Sequence, residues 1–254
     1  MKIVVSNTLI VLEWREMMVS HSDARLDALI TIVDYGLKDV LKNIFKSNNA
    51  PILLLTHGKG SAKSVVYEIL GYGGPKKIVA ISVQTKAMSE YLIKQVNNHI
   101  DFSKPGTGIA FTINISSISN VLSKICIQAE ENLKLGSEDM AITSKEPYHL
   151  IITIVNSGFL DQVMSAAKKA GAIGGTVVHA RGLGSKEAQK YLGITIQPEK
   201  DLVMILTPKD KKLAIMESIM HEVGLNTAGT GICFSLPVDS AIGVLDQTED
   251  GSAS

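Results

Sequence analysis

Apolar and polar positions follow two rhythms along this chain, and the order in which those rhythms alternate occurs twice. "LDALITIVDYG" and "YHLIITIVNSG", Leu26–Gly36 and Tyr148–Gly158, are dense in Ile, Val and Thr and end at a turn, as strands do. Helical spacing follows, with Leu37, Val40, Leu41, Ile44 and Phe45 in one copy and Phe159, Val163, Ala166 and Ala170 in the other. Lys168, Lys169 and Gly171 read as a helix C-terminus. Second strands are predicted in "PILLLTH" and "GTVVHAR", and third strands in "KIVAISV" and "DLVMILT". Second helices carry Met88, Leu92 and Val96, or Leu213, Met216, Met220 and Val223. "GIAFTI" and "GICFSL" close each series as fourth strands.

The copies also match in letters. Thr31–Gly36 matches Thr153–Gly158, and "HGKG" from His57 matches "HARG" from His179, both 122 residues apart. "PGTGIAFTI" from Pro105 matches "AGTGICFSL" from Ala228, 123 apart. Three matches in one order indicate duplication. The predicted fold class is α+β: two tandem ferredoxin-like βαββαβ sandwiches, each an antiparallel four-stranded sheet with its helices on one face. The expected division is an N-terminal extension at 1–24, repeats at 25–122 and 148–246, a charged linker at 123–147 and a tail at 247–254. Each sheet keeps one face without helices, and its apolar side chains need a partner, so self-association is expected.

Charge narrows the choice of partner. Lys plus Arg is 25 and Asp plus Glu is 25, which argues against a nucleic-acid platform, since phosphate affinity needs clustered positive charge. Aromatics at 5% supply no stacking surface. No apolar run is long enough to insert in a bilayer, and no signal sequence develops after Lys2. Two distant cysteines, Cys126 and Cys233, make neither a disulfide framework nor a zinc site; a cytoplasmic setting is expected.

The candidate chemistry lies in glycine-spaced loops. In "HARGLGSK", backbone amides around Gly182 and Gly184, with Arg181 and Lys186, suit a phosphate or carboxylate. "HGKGSAK" repeats the pattern with Gly58, Lys59, Gly60 and Lys63. The plain alternative is a hairpin corner with solvated cations. "GTG" at Gly106, Thr107 and Gly108, and again at Gly229, Thr230 and Gly231, permits positive φ and close backbone approach before a strand, or serves only as a helix-to-strand turn. His57 and His179 hold equivalent places but lack a second ligand at metal spacing, so they read as structural hydrogen-bonding residues. Met216 and Met220 read as core. No nucleophile-and-base pair, G-x-S-x-G, H-E-x-x-H or G-x-x-x-x-G-K-[ST] is present, which weighs against an enzyme.

"AKKAGAIGGTVVHARGLGSKEAQKYLGITIQPEKDLVMILTPKDKK", followed by "NTAGTGICFSLPVDSAIGV", resembles the P-II nitrogen-regulatory proteins and their wider superfamily, across nearly all of the second repeat. The first repeat resembles them more weakly, through "HGKG", "VAISV" and "GTGIAF". The resemblance implies a ferredoxin-like fold, a trimeric ring, adenine nucleotide (ATP, ADP or AMP) in clefts between units, and a loop after the second strand that regulates a partner protein. Three two-unit chains would supply six units, enough for two stacked rings. The chain departs from the family where its "GDGKIF" carries a phosphate-supporting Lys: Ile109 and Ile232 stand there. "PVDSAIGVLDQ" lacks the family's Arg pair, and neither Tyr67 nor Tyr191 aligns with its modified Tyr. The expected function is a non-enzymatic, tandem P-II-like sensor of a small anionic metabolite, acting on a partner in nitrogen regulation. The rivals are a scaffold with degenerate pockets and a small enzyme on the same fold.

Overall fold

The computed structural model describes residues 25–61, 74–133, 147–182, 189–191, 194–196 and 199–244. In the first repeat, β1 (Leu26–Asp34), α1 (Lys38–Ser47), β2 (Leu53–Gly60), β3 (Lys76–Thr85), α2 (Lys86–His99) and β4 (Gly108–Ile115) follow one another. A third helix, α3 (Asn120–Leu133), comes next. The second repeat runs β5 (Tyr148–Asn156), α4 (Leu160–Lys169), β6 (Thr176–Arg181), β7 (Gln189–Tyr191), β8 (Ile194–Ile196), β9 (Glu199–Pro208), α5 (Lys212–Val223) and β10 (Ile232–Val238), followed by β11 (Ser240–Ile242). β7 and β8 form a small hairpin of their own inside the connection from β6 to β9.

Each repeat builds the expected antiparallel sheet, in the orders β2-β3-β1-β4 and β6-β9-β5-β10. The two sheets are not separate. β2 pairs with β6, at Lys59↔Val177 and Gly60↔Thr176, so nine strands form one sheet in the order β10-β5-β9-β6-β2-β3-β1-β4-β11. Its two ends are consecutive in sequence: only Asp239 separates β10 from β11, which pairs with β4 at the far end. That crossing is held by Asp239 N to Thr112 O at 3.0 Å, by the Thr112 and Ser240 hydroxyls at 2.8 Å, and by an ion pair between Arg25 and Asp239.

The chain therefore buries three apolar clusters. Leu29, Val33, Leu41, Phe45, Ile78 and Leu92 form one beneath α1 and α2; Ile151, Val155, Val163, Val203, Ile215 and Ile219 form the second beneath α4 and α5. The third lies on the opposite side of the strands and draws on both repeats, with Ile30, Ile32, Val79 and Phe111 meeting Tyr148, Leu150 and Val238. Strand side chains alternate between faces, so β1 is buried on both sides and reads as an almost unbroken apolar run. The helix-free faces thus cover one another within a single chain. The exposed faces that the sequence offered as a reason for association are largely filled from inside.

Two local readings change. The first part of the charged stretch 123–147 is helical: α3 buries Ser123 and Cys126, and Ala129 and Leu133 pack against the first core. In α5 the buried stripe is Ile215, Ile219 and Val223; Leu213 is 63% exposed, while Met216 packs at the core margin. The α4 terminus agrees with its sequence. Gly171 takes φ +96°, and its N–H donates to Lys168 O at 3.0 Å.

Candidate ligand-binding cleft between the repeats

β3 begins with two lysines whose side chains leave the sheet on opposite sides. Lys77 points to the inner side, opposite Asp34 on β1 and Gly58 on β2. It is only 7% exposed, and its ammonium donates to Gly106 O. Burial pulls its pKa below the usual lysine value, and the nearby Asp34 carboxylate opposes that shift.

Around Lys77 lies a cleft of about 210 Å³ between the repeats. Its polar rim is Gly60, Ser61, Gly106 and Gly108 from the first repeat and Gly174–Gly175 from the second; Ile32, Ile109, Met204 and Leu206 line its floor. Ser61 and Gly175 hold the rim together by two hydrogen bonds, Ser61 N to Gly175 O at 2.9 Å and Gly175 N to Ser61 Oγ at 2.8 Å. A buried ammonium bounded by glycine backbone and an apolar floor suits a small anion, since the charge gains most from a partner where water is scarce.

The glycines have structural reasons as well. Gly108 takes φ +152°, and a Cβ there would lie 2.0 Å from Ile32 O. Thr107 O accepts from Asp34 N at 2.8 Å, which seats β4 against β1. Gly106, at φ +80°, has nothing within 4 Å of where its Cβ would be, so it leaves the rim open.

Residues 148–248 match the family model described as nitrogen regulatory protein P-II. That match makes the second repeat similar to P-II. Among solved structures that match is a crystal structure of P-II from Arabidopsis thaliana bound to citrate; it is 26% identical, the match covers 36% of this chain and 75% of that one, and the TM-score is 0.28. No curated protein matches the chain. The likeness lies in the second repeat; the first shares its strand order and the quoted motifs.

The P-II-like motifs are brought together selectively. Gly60 of "HGKG" meets Gly106 and Gly108 of the first "GTG" in the cleft, and Thr107 sits in the same turn. The second "GTG" lies elsewhere, against the end of α5: a Cβ on Gly231 would stand 2.5 Å from Val223 O and one on Gly229 3.0 Å from it. Thr230 there takes φ +42°, and Gly229 O accepts from Asn156 N at 3.0 Å. Arg181 is exposed at the end of β6, across from Glu199, and is not part of the cleft. Gly182 is not at positive φ; a Cβ there would meet only the flexible Lys200 side chain at 3.0 Å, so a strained glycine is not what opens that loop. Gly58 and Lys59 belong to the junction of β2 with β6. Lys63, Tyr67, Gly184 and Lys186 lie outside the described residues, and only the backbone of Tyr191 is described.

The cleft also contains what sequence reading passed over. Lys77 looks like a solvated charge at a strand start, and Ser61, Gly174 and Gly175 look like plain loop. The signal that could have found Lys77 is a charged residue on the inward parity of an otherwise apolar strand, next to Val79 and Ile81 on the same face. Among the described residues no cluster of His, Cys, Asp or Glu could hold a metal, and no helix is long and apolar enough to cross a membrane.

Proposed function

We propose that the protein is a non-enzymatic P-II-like sensor, in which a small anionic metabolite binds Lys77 in the cleft between the repeats and alters the state of the adjoining loop. The reading is carried by one observation: the glycines of two separate motifs, Gly60 and Gly106 with Gly108, converge on a buried lysine. Ser61 lines the cleft and opens the connection from β2 to β3, so a ligand there touches the root of the loop that reaches partners in the P-II family. A ligand switches that loop only by binding one loop state better than another. The metabolite class is a small carboxylate or an adenine nucleotide. A cleft of about 210 Å³ lies below the ~300–1,000 Å³ of drug-sized sites. It encloses an anionic group and leaves the rest of a nucleotide outside.

The regulated partner is a protein of nitrogen metabolism, the setting is cytoplasmic, and three chains associate as the six units of two P-II-like rings. Ile109 and Ile232, in place of the family's lysine, favour the second reading, a scaffold whose pockets are idle. Calorimetric titration of the full chain with ATP, ADP, AMP and a panel of di- and tricarboxylates separates the two. Binding by the parent chain and its loss in Lys77→Met support the sensor. No heat from any of these ligands selects the scaffold.

A further inference from the structure

The outer, helix-bearing side of the β2–β6 junction gathers positive charge that the cleft does not use. Lys59 and Lys76 stand directly opposite each other on β2 and β3. Cross-strand partners place their Cβ atoms only about 4.5–5.5 Å apart, and like charges at that distance destabilise a sheet. Neither lysine has a salt bridge among the described residues, and both are exposed.

The second repeat provides an internal comparison. Its equivalent positions, 122 and 123 residues on, are Arg181 and Glu199, which also stand opposite each other. There the charges are of opposite sign. The first repeat has a cation where the second has the carboxylate, so charge is left over on one side only.

Two imidazoles adjoin the lysine pair. Continuing the register Lys59↔Val177 two residues back along β2 sets His57 opposite His179. These are each other's repeat equivalents, so the two copies are related by a local twofold at this point. Tyr35 stacks on His57 with ring centroids 5.7 Å apart, and the Lys38 ammonium lies 5.9 Å from the Tyr35 ring centroid. His179 Nδ1 lies 2.7 Å from Asp201 Oδ1, and the other Asp201 oxygen accepts from Gly158 N at 3.2 Å. The nearest acid is therefore committed to orienting His179, which leaves Nε2 facing away from it. Tyr35, His57, Lys59, Lys76 and His179, with Gly58 and Lys77 from the strands between them, line one cleft of about 340 Å³, with no carboxylate in its wall. A metal cation is disfavoured there by the lysines.

We propose that this outer cleft binds a phosphate-type dianion, held between Lys59 and Lys76 and capped by His57 and His179. Such an ion relieves the repulsion of the lysine pair and accepts charge-assisted hydrogen bonds from donors on both repeats, so it clamps the junction. The Lys77 ammonium itself turns away to Gly106 O, and the proposal does not depend on the metabolite reading.

The test follows the melting temperature and calorimetry of the full chain in inorganic phosphate, against chloride at matched ionic strength. Phosphate is expected to raise Tm beyond chloride. Lys76→Gln is expected to raise Tm in chloride, by removing the repulsion, and to weaken phosphate binding about tenfold or more. Lys59→Gln should repeat both effects if the first variant folds poorly. The proposal is overturned if phosphate does no more than chloride, or if both glutamine variants bind phosphate as the parent does.

Discussion

Ser61 of the first repeat and Gly175 of the second grip each other by two hydrogen bonds, through Ser61 N and Oγ, at the rim of the cleft between the copies. Ser61→Ala keeps one bond and strands the Gly175 N–H. An unmade bond to a part-buried amide costs about 1–3 kcal/mol, so urea unfolding should show a loss in that range. A change within about 0.5 kcal/mol would mean that water replaces the hydroxyl and that the rim is looser than it looks.

Gly58 of β2 packs closely against β6. An added Cβ would lie 2.9 Å from Thr176 Cγ2 and 3.1 Å from Val177 O, and the backbone oxygen cannot turn away. Gly58→Ala is therefore expected to open the junction and raise hydrogen exchange at Ser61, whose N–H donates to Gly175 O, while sparing β1 and β5. Unchanged protection would show that the two strands can separate slightly at no cost.

Asp27 on β1 is 1% exposed, and its Oδ1 has no partner among the described residues. Burial raises its pKa above the ordinary 3.8, and the nearby Asp239 adds to the rise. The folded chain then holds this proton more tightly than the unfolded chain, so stability falls as pH rises through the window above 3.8. Asp27→Asn should be more stable than the parent at neutral pH, and the two should converge below that value. Parallel stability curves across pH 3 to 7 would refute the assignment.

Lys77 has the opposite sign of shift in a base. Its folded pKa lies below the ordinary 10.5, so burial of the charge costs stability at neutral pH, and the cost fades as pH climbs towards that value. Lys77→Met should stabilise the ligand-free chain at pH 7, with the gain narrowing in alkali. The same variant should lose about ten- to hundredfold in metabolite affinity, the contribution of roughly 1.5–3 kcal/mol from a charged hydrogen bond. Arg181→Ala, at an exposed strand end outside the cleft, should change neither measurement.

Association has a smaller surface left to use. Ile232 and Phe234 on β10 remain 45% and 41% exposed, on the same side as Leu150 and Ile152. If three chains assemble, this strip, like Leu54 on β2 opposite Ile81, is inner-face surface still available to them. Phe234→Glu should shift sedimentation from trimer to single chains; a parent chain that already sediments alone at micromolar concentration would end the trimer.

The strand order was legible because it rests on local signals. Period-two runs such as Ile30–Val33, turns such as Asp34–Gly36 and the Lys168–Gly171 helix end are written in neighbouring residues. Pairing between β2 and β6 is not local: two edge strands join through shape, and the glycine that allows it, Gly58, looks like part of a loop motif. Helix α3 was hidden because Glu130 and Glu131 near its end run into the charged stretch that follows, while its buried positions, Ser123 and Cys126, are small and weakly apolar. The cleft was half legible. Gly60, Gly106 and Gly108 stand out by spacing, but Lys77 gains its meaning only from burial by the other repeat.

The local twofold between His57 and His179 lies inside one polypeptide. A dimer of identical chains would have to present every residue twice across such an axis, so any mutation that charges one half charges the other. Covalent linkage lifts that restriction. Lys76 and Glu199, or Ile78 and Asp201, could diverge at corresponding positions without any consequence for the other copy. A symmetric pair of sites can in this way become a single lopsided one. Its stoichiometry would be one ligand per chain, and its two walls could be selected for different tasks.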